Sequence, residues 1–144
     1  MKVEIVPAAS PAEEHAVICA AEVTENIRRA AELLEGTAGT LVVYRDDQAL
    51  FCETKKIYYI ESVDDKCFVY TKDECFETKY RLYELEDALG HSFMRCSKSM
   101  VCNIRKIKSV RAELNARMNA TLLNGEEIII SRSYVKDFKK RLGL

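Results

Sequence analysis

Several things are missing from this 144-residue chain, and each absence removes a class of function. No apolar run approaches the roughly 20 residues that cross a bilayer. The start, Met1-Lys2-Val3-Glu4, opens no long apolar stretch of the secretory kind, which makes the cytoplasm the expected location. Six cysteines stand at 19, 52, 67, 75, 96 and 102, yet no two form a C-x-x-C pair, and the two histidines, His15 and His91, lie far from any cysteine cluster. Structural zinc sites use closely spaced paired ligands, so no metal is expected. Neither histidine shares a string with a nucleophile or a carboxylate pair, and residues 1–54 contain no glycine-rich phosphate loop. Acid–base and nucleophilic chemistry need a polarised group with a base in reach, so no catalytic residue and no cofactor is expected. Repeats, low-complexity tracts, zinc-finger spacing and a helix-turn-helix pattern are absent as well.

What the chain does have is a split of charge. Its net charge is −1, but residues 1–54 hold 4 Lys+Arg against 10 Asp+Glu, residues 55–90 hold 6 against 9, and residues 91–144 hold 12 against 4. A basic back behind an acidic front suggests a polyanionic partner for one end. Arg95, Lys98, Arg105, Lys106, Lys108, Arg111, Arg117, Arg132, Lys136 and Lys139 fall on or beside predicted strand ends. From there long cationic side chains reach phosphates, with Ser97, Ser99, Ser131 and Ser133 as short hydrogen-bonding partners. Cys96 sits between Arg95 and Lys98. Cations beside a thiol lower its pKa, which marks Cys96 as the one cysteine to examine for reactivity.

Periodicity supplies the elements. Residues 2–6 alternate polar and apolar as a strand does, and 14–20 read as a second strand. Ile27, Ala30, Ala31 and Leu34 have helical spacing, giving a helix from Thr24 that Gly36 stops. Thr40–Arg45 and Gln48–Glu53 flank the turn-like pair Asp46-Asp47. Residues 1–54 thus form a small βαββ unit, and composition shifts near Glu53–Lys56. A meander follows over 57–62, 67–71 and 74–77, then a helix across Tyr80–Leu89 with Thr78 as its N-cap and Gly90 as its stop. Strands are expected over 93–96, 100–104, 107–114, 115–123 and 127–131. Asn124-Gly125 is the strongest hairpin signal. A terminal helix over 134–142 puts Val135, Phe138 and Leu142 on one side.

Five ordered strings carry a resemblance. They are Ile57-Tyr58-Tyr59-Ile60-Glu61-Ser62; Tyr83-Glu84-Leu85-Glu86 with Leu89; Phe93-Met94-Arg95-Cys96-Ser97-Lys98-Ser99 with Asn103; Asn124-Gly125; and Ile130-Ser131-Arg132-Ser133-Tyr134. With them, residues 55–144 resemble the LytTR family of bacterial DNA-binding domains, and the whole chain looks like its short stand-alone members. The resemblance implies an α+β fold, predominantly antiparallel β, with several sheets and a short helix, preceded here by the 1–54 unit as a dimerisation or regulatory region. It implies a transcriptional regulator that binds double-stranded DNA at paired repeats, through loops in the major groove, as a homodimer, and family members often have a membrane-protein partner. Carried over by position, contacts fall at Lys66; at Arg95, Ser97, Lys98 and Ser99; and at Arg132, Ser133, Tyr134 and Lys136, with Lys79 and Arg81 on phosphates. Residues 1–54 are too short for a receiver domain. The rival reading is a protein-interaction or small-ligand-sensing module acting through the acidic front.

Overall fold

Strand β3 (Tyr59–Val63) has a core on each of its faces, and the architecture follows from that. The computed structural model describes residues 1–10, 13–35 and 39–144. After helix α1 (Glu25–Glu35) come β1 (Thr40–Arg45), β2 (Gln48–Glu53), β3, β4 (Lys66–Tyr70), β5 (Cys75–Thr78), α2 (Leu82–Ala88), β6 (Phe93–Ser97), β7 (Met100–Asn103), β8 (Ile107–Ala112), β9 (Met118–Leu122), β10 (Glu127–Ile130) and α3 (Arg132–Leu142). Seven strands form one antiparallel sheet in the order β2-β1-β5-β4-β3-β7-β6, and three form a second in the order β10-β9-β8. The α+β, mainly antiparallel expectation holds.

Side chains alternate across a strand, so β3 and β7 feed both cores. Ile60, Val101 and Phe93 join Leu41, Val43 and Cys52 of the β1–β2 hairpin and Leu82, Leu85 and Leu89 around α2. On the opposite face Tyr59, Cys102, Met94 and Cys96 meet Met118, Ala120, Leu122, Ile128 and Ile130 of the small sheet and Phe138 of α3. The hairpin is thus part of the large sheet and its core, and the composition shift near Glu53–Lys56 is not a gap in the packing. Asn103 pins the two layers: its buried Nδ2 donates to the Ile57 carbonyl (2.9 Å), and its Oδ1 accepts from the Arg105 amide (3.0 Å).

The hairpin β1–β2 falls where the sequence places it. Asp46 and Asp47 at φ 51° and 66° form a primed turn, as do Asp64 and Asp65 between β3 and β4. Other expectations need correction. Residues 2–6 and 14–20 are not strands: 2–6 are exposed, and neither segment pairs with another strand among the described residues. Alternation makes a strand only where an edge is there to receive it, so the βαββ unit is an αββ unit. The stop at Gly36 lies outside the described residues. Thr78 is not a helix cap; it pairs with Cys67 in the ladder, and its hydroxyl donates to the Val42 carbonyl (3.2 Å). The cap position belongs to Arg81, whose amide donates to Glu84 Oε1 (3.2 Å). Gly90, at φ 80°, closes α2 as expected.

The strand expected over 115–123 starts later, because Asn115 and Ala116 turn with positive φ and the Glu113 amide donates to the Arg117 carbonyl (2.9 Å). Asn124-Gly125 does turn the chain, but only Gly125 takes a positive φ (90°). The bend is therefore a longer loop, with the Gly125 amide on the Leu122 carbonyl at 3.0 Å, rather than a two-residue primed turn. Helix α3 starts at Arg132, two residues before its expected start.

Candidate nucleic-acid interface

Two backbone hydrogen bonds assemble the candidate surface. The Ser62 amide of β3 donates to the Ser99 carbonyl (2.7 Å), and the Ser131 amide donates to the Cys96 carbonyl (2.8 Å). The first sets the β6–β7 loop beside the end of β3, next to the β3–β4 turn. The second sets the start of α3 beside β6. Segments distant in sequence thus meet at one end of the strands, and they carry Lys66, the Ser97-Lys98-Ser99 loop, Arg132 and Ser133.

The loop is held from within. Ser97 and Ser99 hydroxyl oxygens are 3.4 Å apart, and the Ser99 amide donates to Ser97 Oγ (3.2 Å). Arg95 holds it from behind: its guanidinium donates to the Lys98 carbonyl (2.9 Å) and to Glu86 of α2 (3.3 Å), leaving the side chain only 19% exposed. Lys98 itself is exposed. Glu86 is a supporting residue that sequence reasoning missed, because nothing in the local pattern announces a pair nine residues apart across a helix end.

Arg132 and Lys136 lie one helical turn apart and exposed on α3, so their charges share a face. Ser131, the residue before the first turn, makes no side-chain cap bond. Tyr134 is half-buried against the second core, and Phe138 below it is fully buried, so these rings fix the helix while the cations face outward. The helix ends on Gly143 at φ 75°, and Arg141 near that end donates to the His91 carbonyl (2.7 Å).

Lys79 and Arg81 follow β5, whose last residue pairs with Cys67 near the β3–β4 turn. Lys79 Nζ rests 4.5 Å from the centre of the Tyr44 ring, an attraction that keeps the ammonium at the surface. Lys66 stands immediately after Asp64 and Asp65, so that turn is net negative. The remaining basic residues are elsewhere. Arg105 and Lys106, with Lys55, line a shallow cavity next to Asn103, at the other end of β7 from the loop. Lys106 Nζ sits 5.2 Å from the Tyr58 ring, and Arg111 lies 3.4 Å from both Glu113 and Glu127. The ten-residue basic list of the sequence therefore divides by position, and only part of it reaches the assembled end.

Cys96 does not have the reactive setting that its neighbours in sequence suggest. It is fully buried, its thiol lies against Cys102 and donates to the Met100 carbonyl (3.5 Å), and the Cys102 contact with burial pushes its pKa upward. Burial likewise raises Cys52 and Cys67. Among the described residues no three His, Cys, Asp or Glu side chains gather as a metal site, and no helix is long and apolar enough to cross a membrane.

A β-built frame that gathers basic loops and a helix start at one end, with no helix-turn-helix among the described residues, defines the class. The model of the LytTr DNA-binding domain matches residues 47–143, and the chain belongs to that family. The match begins inside the turn before β2, so it includes that strand. Over its full length the chain is 27% identical to an uncharacterized HTH-type transcriptional regulator of Staphylococcus aureus, covering 99% of it. It is 30% identical over 115 residues to the sensory transduction protein LytT of Bacillus cereus, covering 76% of this chain and 47% of that one. Its structure is similar to a LytTr DNA-binding domain of a putative methyl-accepting/DNA response regulator from Bacillus cereus, with a TM-score of 0.70 and 29% identity over 74% of this chain and 98% of that one. The chain is a DNA-binding regulator by family, and that family is not one of enzymes. Among the described residues the helix-turn-helix in the relative's name has no counterpart, since the whole run from β6 to β10 separates α2 from α3.

Proposed function

We propose that this protein is a sequence-specific transcriptional regulator that acts in the cytoplasm and binds paired DNA repeats as a homodimer, presenting loops to the major groove. The carrying observation is the pair of hydrogen bonds, Ser62 to Ser99 and Ser131 to Cys96, that unites the β6–β7 loop with the start of α3. Lys98 and Arg132 are exposed at the tips of these two segments and read base edges; an arginine grips a guanine edge with two hydrogen bonds. Lys136, Lys79 and Arg81 position phosphates, and the uncapped first-turn amides of α3 assist them. Ser97, Ser99 and Ser133 supply short contacts. Arg95 works one step back, shaping the loop through the Lys98 carbonyl. Residues 1–54 serve dimerisation or signal input, and the exposed Leu33 and Leu34 of α1 support such a docking role, including one for a membrane-protein partner.

The test is selection of duplex DNA from a random pool at two salt concentrations, followed by Lys98→Ala and Lys136→Ala on the selected site. A repeated motif is expected, with affinity falling steeply as salt rises. Lys136→Ala should weaken all sequences alike and reduce the salt slope by about one, whereas Lys98→Ala should relax preference at a single position. Salt-dependent binding with no enriched motif would overturn sequence specificity. Absence of binding at both salts would favour an interaction or ligand-sensing module working through residues 1–54.

A further inference from the structure

Strand β2 is the free edge of the seven-stranded sheet, and its outer side is unusually receptive. Among the described residues its one strand partner is β1. The two-residue turn at Asp46-Asp47 makes Arg45 and Gln48 a hydrogen-bonded pair, so by alternation Leu50 and Cys52 also bond toward β1. The amides and carbonyls of Ala49, Phe51 and Glu53 therefore point outward; the Glu53 carbonyl accepts from the Cys52 thiol (3.7 Å), and no strand among the described residues pairs with this side. Natural edges are usually shielded by charge, proline or a bulge within the strand. Here the centre reads Ala49-Leu50-Phe51-Cys52, and Phe51 is 76% exposed.

We propose that β2 pairs antiparallel with β2 of a second copy, with Phe51 on the two-fold axis. This rests on the homodimer reading and names the surface that makes it. The register follows from two constraints. Outward-bonding residues must face outward-bonding residues, which allows Phe51 to face Phe51 of the mate, or shifts in steps of two. With Phe51 on the axis, Ala49 faces Glu53 of the mate and Leu50 faces Cys52. Beyond the strand ends, the Asp46-Asp47 turn of one copy then lies toward the 3-10 turn Thr54–Lys56 of the mate, which carries Lys55 and Lys56, and this happens twice by symmetry. The neighbouring register, centred on Leu50, instead brings Asp47 at the turn toward Glu53 of the mate, which repels.

The charges are available for this use. Asp46 and Asp47 make no ion pair within the chain among the described residues, and Lys55 and Lys56 share the single carboxylate of Glu53 at 3.8 Å each, both lysines well exposed. The edge also lies at the opposite end of the strand order from β6, so the junction leaves the β6–β7 loop and the start of α3 uncovered in both copies.

Sedimentation velocity of the full chain across micromolar concentrations tests this. The unaltered chain should dimerise reversibly. Phe51→Asp places two carboxylates on the axis and should raise the dissociation constant about tenfold or more, with an unchanged circular dichroism spectrum and unchanged affinity for a single DNA half-site. Lys55→Glu with Lys56→Glu should weaken the dimer, and adding Asp46→Asn with Asp47→Asn, which keeps residues tolerant of positive φ, should recover part of it by removing the new repulsion. Disruption by Phe51→Asp without any recovery on neutralising Asp46 and Asp47 in the Lys55→Glu, Lys56→Glu background would overturn the register. A dimer indifferent to every variant would overturn the β2 surface and leave the homodimer reading standing. A chain that stays monomeric both alone and on two-site DNA would overturn both.

Discussion

The two cores of this molecule hold different things in place. The first, around α2 and the β1–β2 hairpin, supports a sheet edge and the residues behind the β6–β7 loop. The second, around Phe138 and the three-stranded sheet, holds the helix that carries Arg132 and Lys136. Both share β3, β6 and β7, whose alternate side chains serve one core each. The lesson is that the candidate surface is the seam of the two layers. Arg95 reaches into the first layer through Glu86, and Ser131 ties the second to β6. A binding surface built on such a seam needs both layers, but not in equal degree.

The largest expected effect separates them. Phe138 is fully buried and is the main anchor of α3. Phe138→Ala should cost about 3–5 kcal/mol, and DNA affinity should fall even where the chain remains folded, because α3 loses its seat. Leu85 is equally buried in the first core. Leu85→Ala should cost about 2–5 kcal/mol, yet the folded fraction should bind DNA nearly as before. Urea titration followed by monitored DNA binding at low temperature checks both. Equal loss of affinity in the two variants would erase the distinction. Next in size is Arg132→Ala, expected to cost about 1–3 kcal/mol in binding with relaxed preference at one base pair and little change in stability, since the side chain is exposed.

Legibility in the sequence divides in a comparable way. Local signals read well: the hairpin over 40–53, the apolar stripe of α2 and the positive-φ stop at Gly90 are all written in adjacent residues. The candidate site was only half legible. Arg95, Lys98, Arg132 and Lys136 stand out as cations beside polar strand ends, but charge alone also recruited Arg105, Lys106 and Arg111, which fold to other places. Sorting them takes the long-range bonds from Ser62 and Ser131. Cys96 shows the same gap: its sequence neighbours are cations, while its neighbour in space is Cys102. The early strand at 2–6 failed for a related reason, since alternation states which faces a strand would have and not whether a partner edge exists.

A smaller effect lies in the bond that joins the two sheets. The Tyr59 hydroxyl donates to Glu126 Oε2 (2.7 Å), linking β3 to the loop before β10. Burial first, then this bond and the Glu126 charge, hold the phenol well above its ordinary pKa. A phenol whose pKa is raised by folding stabilises the folded state while protonated, so its contribution is complete below about pH 10, the unfolded value, and is lost as pH climbs beyond it. Tyr59→Phe should lower stability by about 1–2 kcal/mol at neutral pH and should flatten the alkaline decline above pH 10. Thermal melts from neutral to strongly alkaline buffer measure both, and an unaltered alkaline slope would show that another group governs that limb.

The smallest expected effect is at Lys66, and it sharpens the map of the surface. The position belongs to the assembled end by geometry, one residue past the β3–β4 turn. Yet Asp64 and Asp65 directly precede it, and DNA that approaches Lys66 must also approach two carboxylates. In the proposed binding mode the lysine's chief task is to offset their repulsion. Lys66→Ala should weaken DNA binding only modestly, by less than the loss at Arg132, and uniformly across sequences. The double change Asp64→Asn with Asp65→Asn, which keeps residues tolerant of positive φ, should strengthen binding and steepen its salt dependence. Competition binding on one duplex at two salts measures both. A base-specific loss at Lys66 would move it from a charge offset to a reader and would widen the reading surface toward the large sheet.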